Sequence, residues 1–347
     1  MSLQFGFCVP PFAMPGPAFF RTPSWTALEP ARAVDAAVEA ERLGFDSVWM
    51  ADHLMHGHDG AILEGWTTLS VIAGRTSRVR LGTIHLAQPF RHPAILAKMV
   101  GTLDALSGGR LILFYDCGWG ETEVRAYGLD WPPEVERIER MEEGLRLMYE
   151  LWTAHEPLDF RGRFFRTDRA ICRPAPVQPG GRPPIWLGEA RSDRWADAVA
   201  SYADGWNSVP ASPERLAEKI ETIKAAFARA NRDFASLELS LETQVLVAPT
   251  EADLRDTVRR IAALPGAPGR KPRADVLAAL EDASRPLADA LPDWLAGTPE
   301  QVAEKVRRYA AMGVSHFMGW FVDFPSDAGM RLFAEKVIPA LRSSATG

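Results

Sequence analysis

The sequence predicts a parallel (β/α)8 barrel, on three observations. Short β-rich runs alternate with amphipathic helical runs along the chain, the pattern of a parallel sheet joined by crossover helices. The number of such pairs is roughly eight, which favours a closed barrel over an open doubly wound sheet. The 347 residues hold one barrel of ~250 residues with insertions. No internal repeat of roughly 20–50 residues points to a solenoid.

The elements follow in order. Residues 3–9 form the first strand candidate, with little charge. A helix over 28–43 places Ala33, Val34, Ala37 and Val38 at helical spacing, and Gly44 ends it as a left-handed stop. A strand over 46–51, a helix including 69–75 and a strand over 79–85 come next. Pro93 sits in the first turn of a helix over 94–106. Gly108 and Gly109 then break the chain before a strand over 111–115, and a long helix covers 138–152. Later strands fall at 184–187, 205–209 and 237–247, with helices at 196–203, 213–230 and 251–264. Thr298 caps a helix over 299–312 that carries Glu300 and Gln301 in its first turn. A last strand over 316–321 and a helix over 328–341 close the series. Two segments interrupt it. Residues 158–166 read as a hairpin around Gly162, and 265–295 as an insertion rich in Pro, Gly, Arg and Ala. A loop of that length is functional or mobile in most compact domains.

Composition excludes several classes. Hydrophobic residues make up 47% and charged residues 24%, inside the globular range. A net charge of −6 lacks the basic footprint that nucleic acid requires. Cys8, Cys117 and Cys172 are sparse and odd in number, which is neither a disulfide framework nor a zinc ribbon. The first eleven residues do not read as a secretory signal, and no run approaches the ~20 apolar residues of a membrane span. The expectation is a cytoplasmic protein that engages neither nucleic acid nor membrane.

In such a barrel the chemistry sits at the carboxyl ends of the strands. After the second strand comes Asp52-His53-Leu54-Met55-His56-Gly57-His58-Asp59. Its histidines and aspartates invite a metal, but their spacing fits no zinc pattern, so no metal site is assigned. His53, the first of these histidines after the strand, is the catalytic or cofactor-facing candidate, while His56 and His58 are expected to face solvent. The fourth strand runs into Asp116-Cys117-Gly118-Trp119-Gly120, where glycines beside a tryptophan permit close approach of a planar ligand or make a tight turn around a buried Trp119. The fifth ends in Gly188-Glu189-Ala190-Arg191-Ser192, and a glycine, an arginine and a helix start suit a phosphate. Neither GxGxxG nor a Walker lysine pattern is present, and no GxSxG marks a serine nucleophile. Eleven tryptophans and 17 phenylalanines fit either a large aromatic core or an apolar pocket for a flat cofactor and an apolar substrate.

At these residues the chain resembles the luciferase-like monooxygenase family. The matching stretches are GFDSVWMADHL (44–54), RVRLGTIHLAQPFRHPAILAKMVGTLDALSGGRL (78–111), GWGETEVRAYGL (118–129), RPPIWLGEARSDR (182–194), YADGWN (202–207) and GTPEQVAEKVRRYAAMGVSHFM (297–318). The resemblance implies a (β/α)8 barrel with a flavin-type ring across its mouth near His53, Thr83, Asp116, Cys117 and Trp119. It implies a cofactor phosphate on Gly188, Glu189, Ala190, Arg191 and Ser192, with Arg191 where a small residue is commoner. Family members use reduced FMN from a separate flavin reductase with O2, or the deazaflavin coenzyme F420. The Asp52-His53 pair is common among deazaflavin users but occurs among flavin users too. Phe114-Tyr115-Asp116-Cys117 replaces a Gly-rich stretch of many relatives, and the reactive cysteine of bacterial luciferase aligns with Asp116, not with Cys117.

The expectation is therefore a reduced-FMN monooxygenase that oxidises a small organic substrate with O2. The alternatives are an F420-dependent oxidoreductase working by hydride transfer and a non-catalytic flavin-binding subunit. His53 is the expected catalytic residue. Residues 265–295 are expected to act as a lid, closing 276–280 and 287–294 on the cofactor. Ile95, Met99 and Leu103 exceed one inward stripe, and by resemblance that side of the barrel forms a homodimer.

Overall fold

Eight parallel strands close on themselves in the computed structural model, which describes residues 2–189, 191–282 and 284–342. They are β1 (Gln4–Val9), β2 (Ser47–Ala51), β3 (Arg80–Ile84), β4 (Leu111–Asp116), β5 (Ile185–Leu187), β6 (Gly205–Ser208), β7 (Glu238–Val247) and β8 (Val314–Phe321). Each pairs with the next, and β8 returns to β1 with His316 beside Gln4 and Met318 beside Gly6. Two accessory strands, Leu86–Ala87 and Leu295–Gly297, lie along β4 and β7. The expected (β/α)8 barrel is the fold.

The two-residue period of the strands divides the core. Phe5, Phe7 and Val9 of β1 join the layer under the helices, whereas Cys8 points into the barrel with Trp49, Phe114, Trp186 and Met318. Trp49 and Trp186 fill the interior with ring centroids 4.9 Å apart. They fit because the facing positions have no side chain. A Cβ on Gly82 would stand 2.1 Å from the Trp49 ring, and one on Gly205 would stand 2.3 Å from the Trp186 indole. The lower end is closed by polar groups: His316 lies 2.8 Å from Ser47 Oγ and 3.1 Å from Glu238 Oε1.

The helices follow the expected order, and the larger differences lie at their starts. Gly65–Arg75 begins before residue 69 because the Glu64 carboxylate accepts from the amides of Trp66 and Thr67. Glu134–Thr153 likewise starts ahead of 138, directly after Pro133. Gly44 ends the first helix at φ 90°, and Thr298 N donates to Gln301 Oε1 at the next-to-last unit. The closing segment is helical over Ala328–Leu332 and Ile338–Arg342 with a π-turn between. The hairpin at 158–166 is present as antiparallel bridges Leu158–Ala170 and Arg161–Arg166, held by Glu143, whose carboxylate accepts from Arg163, Phe164 and Phe165 N.

The insertion is regular in part. It contains a helix, Ala274–Glu281. The side chains of Val276, Leu287, Leu291 and Trp294 do not face the barrel mouth but are buried with Phe19, Leu254 and Val258 in a satellite core. The part before the helix rests on the segment after β1: Arg273 N donates to Pro17 O at 2.8 Å, and the Arg270 guanidinium lies 4.2 Å from the Phe20 ring.

The tryptophan-in-glycine packing is testable. Gly82→Ala should lower stability by about 1–3 kcal/mol through overpacking, read as a shift of the urea midpoint. An unchanged midpoint would mean that Trp49 moves aside freely.

Candidate active site

The carboxyl end of β2 carries two residues with separate tasks. Asp52 is buried; it accepts both Arg91 Nη atoms at 2.8 Å and the Ala87 amide at 3.0 Å. A carboxylate withdrawn from water needs such a full set of donors. Asp52 therefore ties β2 to the chain leaving β3, and His53 emerges from a fixed point. The His53 Nδ1 lies 2.7 Å from Glu123 Oε1. An ionised carboxylate only accepts, so Nδ1 carries the proton and Nε2 is the ring's lone-pair nitrogen in the neutral form. Glu123 also accepts from Leu54 N at 2.9 Å. Burial works to raise its pKa, but the His53 hydrogen bond and charge and the Leu54 and Met55 amides outweigh this, so the carboxyl lies below the ordinary glutamate value.

His56 does not face solvent. Its ring stacks on His53 at 4.9 Å and meets Phe12 edge-on at 4.4 Å, and it lines the cavity at the mouth. Burial first, then the charges of His53 and Arg270, push it down to about 4, so it is neutral near pH 7. His58, half-buried, turns its Nδ1 to Ala13 O at 3.1 Å. The cluster at 52–59 is thus divided among separate partners, and among the described residues no group of His, Cys, Asp and Glu is arranged to hold a metal ion.

A second polar group lines the same mouth. His85, stacked on Phe114 at 4.3 Å, has Nδ1 3.2 Å from Asp116 Oδ2 and Nε2 4.0 Å from Glu242 Oε2. Asp116 accepts from Gly118 N at 2.9 Å and Trp119 Nε1 at 2.7 Å. Glu242 accepts from Trp320 Nε1 at 2.6 Å and pairs with Arg21 at 2.9 Å. At this mouth lies a cavity of about 430 Å³, lined by Phe12, Phe20, Arg21, His53, His56, His85, Trp119, Glu123, Glu242 and Trp320 among others. That volume is in the range of small-molecule sites.

The residues singled out from the sequence divide accordingly. His53 and Trp119 line the cavity, and Asp116 supports it through His85 and Trp119. Thr83 does not reach it: β3 turns Ile84 inward, and the Thr83 hydroxyl is buried on Phe114 O at 3.0 Å. Cys117 is buried beside the strand, and burial, then the Asp116 charge, push its thiol up. Gly188 is a point of close approach, since a Cβ there would come within 3.0 Å of His85. Glu189 is paired with Lys219 at 2.8 Å. Arg191 lies over the Trp119 ring at 3.1 Å. Ser192 caps helix Asp193–Tyr202 and donates to Glu134 Oε1 at 3.1 Å. Ala190 lies outside the described residues.

Glu123, His85, Glu242 and Arg21 were not marked by the sequence. Glu123 belongs to a helix of six residues, Glu121–Ala126, too short to show a period. For Glu242 a signal existed. A strand of a parallel barrel is expected to be apolar on both faces, yet β7 alternates Glu238, Ser240, Glu242 and Gln244 with Leu239, Leu241 and Val245.

With this geometry in hand, comparison with known proteins gives three findings. The model of a family described as luciferase-like monooxygenase matches residues 11–316. A protein of Nakamurella multipartita named F420-dependent glucose-6-phosphate dehydrogenase is 32% identical, over 90% of this chain and 93% of its own; one of the same name from Mycolicibacterium smegmatis is 30% identical, over 91% and 95%. Among solved structures, EDTA monooxygenase from Chelativorans sp. BNC1 superposes with a TM-score of 0.78 at 17% identity, covering 100% of this chain and 95% of that one. That likeness is one of fold.

His56 sets a pH dependence. The unfolded chain protonates this ring near the ordinary value of 6.5, the folded one only at about 4. Stability is therefore lost as the pH falls from 6.5 towards 4. His56→Gln should flatten that part of the profile in denaturant midpoints taken across the range. If wild type and variant lose stability in parallel, His56 is not buried as a neutral ring.

Proposed function

The chain belongs to the luciferase-like monooxygenase family of oxidoreductases, and we propose that within it the protein is a coenzyme F420-dependent dehydrogenase of a small organic alcohol. The observation that carries this reading is the His53–Glu123 pair opening on an aromatic cavity. The curated relatives at 32% and 30% identity are named for F420-dependent dehydrogenation, which favours hydride transfer over the reduced-FMN reaction. On this reading neither O2 nor a flavin reductase takes part.

The residues present fit a flat redox ring with an anionic tail. Trp119, Trp320 and the stacked His53–His56 pair give flat walls. Arg191 and the amino end of the ten-residue helix Asp193–Tyr202 would hold the phosphate. The bound coenzyme supplies a two-electron hydride acceptor. The chain supplies the rest. His53 Nε2 accepts the substrate's hydroxyl proton, and the Glu123 carboxylate fixes the ring and stabilises the imidazolium that results. The Leu54 and Met55 amides hold Glu123 ionised, so the positive charge on His53 meets a negative one. The Asp52–Arg91 clamp keeps His53 at its position at the end of the strand.

Fluorescence titration of the protein with oxidised F420 and with FMN tests the cofactor. F420 should bind the more tightly, and preference for FMN would overturn the reading. In the loaded enzyme His53→Ala should lower turnover by about 10²-fold or more, while F420 affinity should change far less. Equal loss of binding and turnover would make His53 a cofactor contact instead of a base.

We also propose a homodimer. Met99 is half-buried and Leu103 buried, but Val71, Ile95 and Leu106 stand exposed on helices Gly65–Arg75 and Pro93–Ser107, the last 83% so. A groove lined by Trp66, Ala73, Met99 and Leu103 runs between them. A second copy would cover this apolar face. Light scattering at micromolar concentration should give twice the monomer mass, and Leu106→Glu should halve it. A monomeric wild type would reject the pairing.

A further inference from the structure

Resting on the F420 reading above, we infer that the substrate is a neutral, predominantly apolar alcohol or its carbonyl product, and not the sugar phosphate for which the curated relatives are named.

Binding a phosphate dianion in a cavity requires cations or free N–H donors to replace its water. The charged groups that face the cavity run the other way. Asp52, Glu123, Glu242 and Asp293 line it, and Arg21 is the cation among the lining residues. Asp52 is neutralised by Arg91, and Glu123 is engaged by His53. Arg21 itself is charge-paired through one of its nitrogens. Its Nη2 is 2.9 Å from Glu242, its Nη1 is shielded from solvent without a partner, and its plane is flanked by Phe20 and Trp320 at 5.4 Å each. The arginine and Glu242 thus form a pair without net charge, half of a wall whose other half is aromatic.

The other cations near the cavity are engaged elsewhere or face solvent: Arg273 pairs with Asp275 and lies 3.9 Å from Asp293, and Arg191 lies over Trp119, where it is assigned to the cofactor phosphate. Arg270 is exposed, its guanidinium 4.2 Å from the Phe20 ring, and it is not among the lining residues. Lys305, from helix Pro299–Ala310, donates to Leu291 O at 2.9 Å and is not among the lining residues. His56, which could have become cationic, is held neutral. A phosphate placed here would meet the carboxylates of Glu242 and Asp293, and among the described residues no lysine and no unpaired arginine lines the cavity. Phe12, Phe20 and Trp320 instead offer rings to a hydrocarbon body, and His53 Nε2 offers one acceptor for a hydroxyl proton.

The step balances with one hydroxyl. The carbinol C–H bond breaks and its hydride passes to the bound deazaflavin. The O–H bond breaks and its proton passes to His53 Nε2. The carbon–oxygen bond becomes a carbonyl, so the substrate loses two electrons and the coenzyme gains them.

The test uses 1-phenylethanol and cyclohexanol as neutral probes and glucose 6-phosphate as the anionic one, in two measurements on the full chain. In F420-loaded enzyme, kcat/KM for a neutral probe should exceed that for glucose 6-phosphate on the order of 10²-fold or more, the consequence of desolvating an unpaired phosphate. In calorimetry on cofactor-free protein, a neutral probe should give binding heat and glucose 6-phosphate none. Phe20→Arg, which adds a cation at a half-exposed wall position, should shift both measurements towards glucose 6-phosphate. Equal or better use of glucose 6-phosphate by the wild type, or binding of neither class, overturns the inference. Failure of F420 to bind overturns the cofactor reading instead, and the calorimetry still decides the substrate class.

Discussion

The Asp52–Arg91 ion pair is the constraint on which the mouth of this barrel depends. Asp52 is withdrawn from water at the end of β2, and a buried carboxylate persists there only because a bidentate guanidinium and the Ala87 amide take all its exposed lone pairs. That geometry fixes two chain exits at once, the one after β2 and the one after β3. His53 and His85 leave from those exits, and both line one cavity. An aspartate that reads in sequence as half of a reactive pair is in the fold the anchor that aims the other half.

From that anchor the site is assembled by carboxylates that each hold more than one partner. Glu123 gathers a histidine ring and two loop amides. Asp116 gathers His85, an amide and an indole. Glu242 gathers an indole and an arginine. Multiple donors replace the water that each carboxyl group loses on burial. The result is a cavity rich in ionisable groups whose charges are already spent on one another. This reconciles an abundance of polar side chains with an aromatic, neutral interior.

The packing beneath obeys a simpler rule. Two tryptophans occupy the barrel because glycines stand opposite them, and the polar floor at His316, Ser47 and Glu238 is fully paired. The insertion at 265–295 solves a separate problem. Its apolar residues cover helix Glu251–Ala262 and Phe19 in a satellite core. It supports the segment after β1 that carries Phe20 and Arg21, and its Asp293 lines the cavity.

The sequence alone determined the barrel, the order of its elements and His53 as a candidate. Hydrophobic period, glycine stops and proline starts are local signals, and each strand end could be located to within a residue or two. Three kinds of feature needed the tertiary structure. Which neighbour faces inward depends on register: Thr83 and Ile84 differ by one position, and only pairing with β2 and β4 turns Ile84 to the cavity. Which charges are free depends on partners distant in sequence, such as Glu123 with His53 and Glu242 with Arg21, separations that no local pattern encodes. Whether a polar residue meets water also depends on what packs over it. His56 reads as a loop residue, yet it is held neutral because Phe12, from the turn after β1, lies against it.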